Sequence, residues 1–375
     1  MNFYIRTNYG NDVGMGHVSR VSSIMNDLKK YSHKYLIFSD KSDRKIKKLI
    51  KNYRINSLYA GDRKFRNQTE DAKIFLSKIV NRPKGIVIVD DYRIDFTWEK
   101  YVSNFCYKII AIDDFINKKH FVDILVNTKP SLSTINQKDY NSLKLINKKN
   151  CQFLLGPKYA PINYKLTNKR KFTSKFNLVF YNGGAGDPLI YYNTINEILK
   201  NYNHKKKIEI HLVIGLLAKN KNKIKKILSK HKNIKIHENL NNLNKLLSNS
   251  HLLISSAGLI SLESAFFKIP TILIQMSKNQ IVDNISMQNI GHYFVLKKED
   301  LINYKKFSKL INILIIKYSR LKKLCSKPKI QIDRNGVRRI LEVIFNKKKI
   351  TQNFLIDKNP NLKSSSELKV KKITD

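Results

Sequence analysis

The chain has 375 residues, of which 42% are apolar, and this size and composition predict two domains with buried cores. Its 72 Lys and Arg residues against 28 Asp and Glu residues give a formal net charge of +44 at pH 7. The lysines are spread along the chain and do not alternate with aromatic residues in a recognisable motif. We therefore expect no nucleic-acid partner, although the basic surface favours weak contact with anionic surfaces.

The first part of the chain alternates short apolar runs with amphipathic stretches. Strands are predicted for four apolar runs at residues 2–6, 35–39, 85–92 and 108–114. Helices are predicted between them, for example at residues 18–28 and 73–79. This alternation is typical of βαβ units with a parallel sheet.

A second series of the same kind follows a basic segment that contains two prolines. Its strands are predicted at residues 176–184, 208–215, 251–258 and 271–275, with helices at 193–199, 221–228 and 335–345. The sequence thus predicts an N-terminal Rossmann-like domain, a linker, a C-terminal Rossmann-like domain and a poorly ordered basic, polar tail, at residues 1–155, 156–175, 176–345 and 346–375. Since ligands bind beyond the carboxyl ends of parallel strands, we expect the two domains to face each other across an interdomain cleft.

The stretch "RTNYGNDVGMGHVSR" at residues 6–20 links the first strand to the first helix. Gly14 and Gly16 allow the backbone to turn sharply and to approach a ligand closely. His17 follows at the helix N-terminus, whose positive dipole end disfavours an imidazolium and keeps the ring able to accept a proton. The spacing is equally consistent with catalysis and with a glycine turn closed by a capping histidine.

A second glycine turn, "YNGGAGDP" at residues 181–188, lies between a predicted strand and a helix. Gly183 and Gly184 favour a loop that binds a phosphate or closes the cleft, although an ordinary βα turn has the same composition. Pro188 is suited to a first helical turn, and Asp187 is predicted to cap it.

The loops after the last two strands predict a nucleotide-diphosphate site. Small residues that suit a diphosphate follow one strand: Ser255, Ser256 and Gly258. Glu263 in the next helix can accept hydrogen bonds from the two ribose hydroxyls. Asn279 and Gln280 end the following strand with amide donors and acceptors. Polar loop residues at strand ends are the alternative interpretation of each loop.

Acidic pairs end two strands of the first domain, in "VDDYR" at residues 89–93 and "IDDF" at residues 112–115. No His or Cys stands at ligand spacing beside them, so we expect hydrogen bonding to a polar ligand rather than a metal site. Tyr92 is predicted either to face the cleft or to pack.

The cysteines and the apolar runs of the sequence indicate a reduced setting and no membrane span. The three cysteines are odd in number and match no metal-ligand spacing: Cys106, Cys151 and Cys325. Glu263 and Lys268 interrupt the longest apolar run, and the start has no signal-peptide pattern. We expect a cytoplasmic protein with no transmembrane segment.

Taken in order, these motifs resemble the UDP-sugar hydrolases of pseudaminic acid biosynthesis (the PseG family) over roughly residues 1–345. The resemblance rests on "RTNYGNDVGMGHVSR", "VIVDDYRIDFTWE", "FLLGPKYAPI", "GGAGDP", "LISSAGLISLESAFFKIPTILIQMSKNQ" and "DRNGVRRI". That family is similar to the MurG-type glycosyltransferases and implies a GT-B fold of two Rossmann-like domains.

The activity that this resemblance implies is hydrolysis of UDP-2,4-diacetamido-2,4,6-trideoxy-β-L-altropyranose, with release of UDP and without a metal or other cofactor. His17 matches the family's general base for water, and Glu263 matches its uridine-diphosphate loops, as does the turn formed by residues 255–258. Tyr92 and Asn279 match positions near the sugar. A MurG-like transferase with the same fold is the main alternative. A basic nucleic-acid-binding protein is a distant one, which rests on charge alone.

Overall fold

The structure, a computed structural model, describes residues 1–30, 33–41, 54–61, 63–115, 118–134, 151–162, 175–201, 207–238, 240, 243–277, 280 and 283–345. It divides into two compact units. The first comprises Met1–Tyr9, His17–Asn163 and the segment from Asp333 onward, and the second comprises Gly10–Gly16 and Tyr164–Ile332. No helix of the described residues is long and apolar enough to cross a membrane.

A seven-stranded sheet forms the centre of the first unit. Its strands are β1 (Asn2–Thr7), β2 (Lys34–Ser39), β3 (Ile55–Ser57), β4 (Ile86–Asp90), β5 (Lys108–Ile112), β6 (Ile124–Asn127) and β7 (Gln152–Leu155). All pairs are parallel, in the order β3-β2-β1-β4-β5-β6-β7. The chain order reverses between β1 and β4, and such a reversal is where open α/β sheets bind ligands.

The helices of the first unit have clear local causes. Before β7, the described residues of this unit form α1 (Gly16–Lys30), α2 (Gln68–Ile79) and α3 (Phe96–Ser103). The side chain of Asn67 accepts a hydrogen bond from the Glu70 amide at 2.9 Å and caps α2, and Asp95 caps α3 in the same way. On α1, apolar residues at helical spacing are buried: Val18, Val21, Ile24, Met25 and Leu28.

A six-stranded sheet forms the centre of the second unit. Its strands are β8 (Phe176–Tyr181), β9 (Ile208–Ile214), β10 (Ile234–Glu238), β11 (Leu252–Ser256), β12 (Thr271–Gln275) and β13 (Phe294–Lys297). They are again all parallel, in the order β10-β9-β8-β11-β12-β13. This sheet reverses between β8 and β11, so each unit repeats the Rossmann strand order.

In the part of this unit that the structure describes, seven α-helices accompany the sheet: α4 (Tyr192–Asn201), α5 (Lys221–Leu228), α6 (Asn244–Ser248), α7 (Leu259–Phe266), α8 (Asn284–Asn289), α9 (Tyr304–Ile316) and α10 (Tyr318–Cys325). A 3-10 turn, Pro188–Tyr191, precedes α4. Asp187 accepts a hydrogen bond from the Leu189 amide at 2.9 Å, which confirms the predicted cap with proline in the first turn.

The predicted strands are confirmed in both series, with the last residues of several runs lying in the loops that follow. Five strands were not predicted: β3, β6, β7, β10 and β13. The predicted tail at residues 346–375 lies outside the described residues, as do residues 163–174 of the predicted linker.

The last helix, α11 (Gly336–Ile344), corrects the predicted domain boundary, because it packs in the first unit and not in the C-terminal domain of residues 176–345. A Cβ at Gly336 would lie only 2.0 Å from the carbonyl oxygen of Ala160, so glycine permits the close approach. Arg339 donates to the Lys158 carbonyl at 2.8 Å. Residues 156–162 of the predicted linker likewise belong to this unit.

Candidate active site

The loop after β1 places the first predicted site residues. Gly10 and Gly14 form an antiparallel bridge, with N···O distances of 3.3 and 2.7 Å, so the chain turns tightly between them. Gly14 has a φ of +78°, a conformation that favours glycine. Helix α1 begins at Gly16, which puts His17 in its first turn, as predicted.

His17 is joined to a carboxylate on the neighbouring strand. Thr7 at the end of β1 is in register with Asp90 at the end of β4, so the loop after β1 and the end of β4 meet at the switch point. The Nδ1 atom of His17 is hydrogen-bonded to Asp90 Oδ1, and both residues are buried. Because an ionised carboxylate can only accept, Nδ1 carries the proton and Nε2 carries the lone pair.

The second ring nitrogen of His17 is accessible. Among the described residues, Nε2 has no hydrogen-bond partner, and it is not one of the fully buried polar atoms that lack one. An imidazole with this tautomer and an open Nε2 can accept a proton from a water or a hydroxyl.

Arg20 holds the carboxylate of Asp90 from one helical turn further along α1. Its Nε donates to Asp90 Oδ2 at 3.0 Å, and its Nη2 donates to Asp90 Oδ1 at 2.7 Å. Its Nη1 donates to Asp114 Oδ2 at 2.7 Å. Burial would raise the pKa of Asp114, but the positive charge of Arg20 and the hydrogen bond from Tyr92 hold that pKa below its ordinary value.

Tyr92 is the last member of the group of residues around His17. Its ring packs edge-on against the His17 ring, with centroids 4.3 Å apart and planes at 73°, and its hydroxyl donates to Asp114. Burial raises the pKa of Tyr92 well above its ordinary value, although the charge of Arg20 opposes the rise. Tyr92 therefore stays a neutral hydrogen-bond donor, and its ring packs on His17.

The other aspartate of each acidic pair belongs to a different group. Asp91 accepts hydrogen bonds from Arg93 Nε at 3.0 Å and Nη2 at 2.6 Å, and Asp113 accepts one from Lys118 Nζ at 2.5 Å. All four aspartates are thus paired with cations. Over the part of the chain that the structure describes, no group of three His, Cys, Asp or Glu residues could hold a metal ion.

In the second unit, the glycine turn after β8 meets the serine turn after β11. Gly183 has a φ of +71°, and a Cβ there would lie 3.2 Å from Ser256 Oγ. A Cβ at Gly215, after β9, would lie 2.4 Å from the carbonyl oxygens of Gly183 and Gly184. The turns that follow three adjacent strands therefore pack together without room for larger residues.

The turn before α7 leaves both space and an unpaired polar group. Ser255 is fully buried, and its hydroxyl has no hydrogen-bond partner among the described residues. A Cβ at Gly258 would meet only Gln280 Nε2, at 3.9 Å. The structure thus brings Gly258 and Gln280 together, while Asn279 lies outside the described residues.

Glu263 lies on α7, as predicted, and is half-buried. Burial, together with the nearby negative charge of Glu263, raises the pKa of the Tyr181 hydroxyl at the end of β8. Glu263 is therefore close to the same switch point as Gly183 and Ser256, although it makes interactions of its own.

Sequence reasoning missed three members of the first group: Arg20, Asp90 and Asp114. The signal for Arg20 was its spacing, since residues three apart on a helix share a face with His17. Asp90 and Asp114 were recognised as acids at strand ends, but their shared partner, Arg20, was not recognised.

Comparison with known proteins supports the fold. No protein-family model matches the chain. An uncharacterized protein of Methanocaldococcus jannaschii is 25% identical over 291 residues, which make up 75% of this chain and 57% of that relative. The chain thus spans just over half the length of this relative.

Several solved structures are similar over nearly the whole chain. The M. jannaschii UDP-GlcNAc 2-epimerase, solved with UDP-GlcNAc and UDP, has a TM-score of 0.57 at 14% identity and covers 92% of this chain and 100% of its own. Acinetobacter baumannii MurG gives 0.56 at 10%, with 92% and 100% covered. S. aureus MnaA with UDP gives 0.58 at 11%, with 92% and 96% covered. The two parallel-sheet domains are of the GT-B type, which confirms the predicted fold class.

Proposed function

We propose that this protein is a UDP-sugar hydrolase in which His17 is the general base. The observation that carries the proposal is the buried pair of His17 and Asp90 at the switch point of the first sheet, with Nε2 of the ring left open. The sequence resemblance adds the substrate, UDP-2,4-diacetamido-2,4,6-trideoxy-β-L-altropyranose, and a place in pseudaminic acid biosynthesis.

The proposed reaction is a displacement at the anomeric carbon. Nε2 of His17 removes a proton from water, and the water oxygen forms a bond to the anomeric carbon. The bond from that carbon to the UDP oxygen breaks, and UDP leaves with the electron pair. Asp90 stabilises the imidazolium that forms, and attack from the face opposite UDP inverts the anomeric centre.

The second unit supplies groups suited to the nucleotide. The unpaired hydroxyl of Ser255 and the open space at Gly258 suit a diphosphate beside the N-terminus of α7. We propose that Gly183, Gly184, Ser256 and Gln280 line the same site and that Glu263 accepts hydrogen bonds from the ribose hydroxyls. This fits the structural neighbours that were solved with UDP or UDP-GlcNAc.

The sugar contacts rest on four residues of the resemblance: Gly14, Gly16, Tyr92 and Asn279. In the structure, Tyr92 touches the His17 ring, so its outer edge is suited to a sugar beside the general base. We propose that no metal takes part, because the strand-end carboxylates are paired with Arg and Lys side chains.

The direct test is to incubate the protein with candidate UDP-sugars, without an acceptor and in ¹⁸O-water, and to measure UDP. We expect UDP release, label on the sugar and not on the β-phosphate, and an inverted first-formed anomer. The His17→Ala variant should bind UDP as the parent does and turn over about 10²–10⁴-fold more slowly, the usual contribution of a positioned base. Label on phosphorus, or parent turnover by the variant, would falsify the mechanism.

A glycosyltransferase is the second candidate, since MurG and other transferases share this fold and the same base could deprotonate a sugar hydroxyl. Release of UDP only when an acceptor is added would establish this activity. Since UDP-GlcNAc 2-epimerases are also neighbours, the products should be checked for an isomerised UDP-sugar formed without loss of UDP.

A further inference from the structure

The guanidinium of Arg20 is fully occupied by the groups around His17. Two of its nitrogens hold both oxygens of Asp90, and the third holds Asp114 at 2.7 Å. Arg20 is 6% exposed, and its Nη2 lies 3.0 Å from His17 Nδ1 and 3.3 Å from the Tyr92 hydroxyl. Because Arg20 is buried and all three of its nitrogens are bonded to these groups, we look for its role in what it does to its neighbours.

A buried carboxylate beside an imidazole has two opposite effects on a general base. It orients the ring by accepting from Nδ1, but its negative charge also favours a second proton at Nε2, which abolishes the base. The charged and titratable groups that face His17 are Asp90, Arg20, Tyr92 and, behind them, Asp114. Without Arg20, this group would contain the buried Asp90 and the half-buried Asp114, and the only remaining positive charge that acts on it among the described residues would be that of Lys129, at Asp114.

We infer that Arg20 is a positioning residue that lets Asp90 orient His17 without charging it. The inference rests on the proposed role of His17 as the base. The two parallel hydrogen bonds fix the plane of the Asp90 carboxylate, so that Oδ1 faces Nδ1 of the ring. The positive charge, 3.0 Å from the ring nitrogen, opposes a further positive charge there and acts in the same direction as the N-terminus of α1.

An ion pair that serves stability alone would have the same distances but different consequences. Its loss would lower the melting temperature and leave the protonation of His17 unchanged. The role proposed here changes the protonation of the ring in the resting protein, before any substrate is added. The state of the ring is therefore the measurement that separates the two.

The experiment is ¹⁵N NMR of histidine-labelled protein at pH 7, with the His17 signals assigned through the His17→Gln variant. In the parent, we expect a neutral ring with its proton on Nδ1. In Arg20→Gln, we expect the imidazolium. Arg20→Lys, which keeps the charge, should retain the neutral ring. Arg339→Gln is the control, because Arg339 also makes a two-bond pair with an aspartate, Asp333, at 2.8 and 2.5 Å, and neither residue is hydrogen-bonded to His17.

If the substrate is hydrolysed as proposed, the kinetics give a second measurement. For Arg20→Gln, the acidic limb of the pH profile of kcat/KM should move up by about one to two pH units. The charge of Asp90 is then no longer neutralised, and an opposite charge beside a titrating group shifts its pKa by about that much. Its activity at pH 7 should fall by about 10–100-fold and recover as the pH is raised. Arg339→Gln should keep the parent profile.

A neutral His17 ring in a folded Arg20→Gln variant would overturn the inference, as would an imidazolium in Arg20→Lys. If Arg20→Gln does not fold, the double variant Arg20→Gln/Asp114→Asn removes one of the two unpaired carboxylates and should show the same imidazolium. The NMR measurement needs no substrate. It can therefore be read even if the proposed hydrolysis is not observed, and the two failures are told apart.

Discussion

Replacing Asp90 by asparagine tests the pair at the centre of the proposed site. Both carboxylate oxygens accept hydrogen bonds, Oδ1 from His17 and Arg20 and Oδ2 from Arg20 alone. An amide has only one oxygen, so its NH₂ group must face a donor on one side. If it faces His17, the ring changes tautomer, and the proton moves to Nε2, where a base needs its lone pair.

The size of the effect follows from these bonds. Turnover should fall on the order of 10²–10⁴-fold, the range for loss of a positioned base. Removing one partner of a buried ion pair costs about 3–5 kcal/mol, and asparagine keeps the volume and one acceptor, so we expect the free energy of unfolding to fall by about 2–3 kcal/mol.

The neighbouring residue provides the matched control. Asp91 is also buried and also paired with an arginine, but it has no contact with His17. Asp91→Asn should lose comparable stability in urea unfolding and keep its turnover, measured as UDP release at saturating UDP-sugar. UDP affinity, measured by calorimetry, should be unchanged in both variants. A folded Asp90→Asn protein that turns over within a few-fold of Asp91→Asn would show that Asp90 does not serve the base.

Four further changes test the second unit. Gly258→Ala should fold normally, since its Cβ would meet only Gln280 Nε2, at 3.9 Å, but it should weaken UDP binding in calorimetry. Gly183→Ala should lower the free energy of unfolding by about 1–2 kcal/mol, because a left-handed conformation is strained with a Cβ. Glu263→Ala should weaken UDP binding by about 1.5–3 kcal/mol, the contribution of hydrogen bonds to a charged group, and unchanged affinity would place the ribose elsewhere. Burial lowers the pKa of His292 to about 4, so the unfolded chain takes up a proton between pH 6.5 and 4 that the folded chain does not. His292 should therefore cost up to about 3 kcal/mol of stability across that window as the pH falls, and urea unfolding of His292→Gln should show a smaller loss.

The central strands could be predicted from the sequence because both of their faces are buried. Every residue of β4 and β9 is buried, and β4 is a continuous apolar run up to Asp90 at its end. Four of the missed strands lie at sheet edges, namely β3, β7, β10 and β13. Burial is partial along three of them: β3, β10 and β13. Their mixed, short runs lack the apolar signal, and only pairing with the next strand defines them.

The acidic pairs show why the site was harder to predict from the sequence than the central strands were. Two adjacent aspartates suggest one metal site or one ligand site. Successive side chains at the end of a strand point to opposite sides, however, so Asp90 bonds to His17 while Asp91 bonds to Arg93. Asp114 and Asp113 separate in the same way, toward Arg20 and Lys118. One member of each pair therefore belongs to the group around His17, Asp90 directly and Asp114 through Arg20 and Tyr92.

The contact between His17 and Asp90 can be predicted from the strand order of the sheet, although not from the spacing of the two residues in the sequence. Asp90 stands 73 residues away along the chain, so no local motif connects the two. The Rossmann order, however, always places the first strand beside the fourth, and the carboxyl ends of parallel neighbours lie at one edge of the sheet. A histidine directly after the first strand and an aspartate at the end of the fourth are then expected to meet. Arg20, one turn along the same helix face, is expected to reach the same carboxylate.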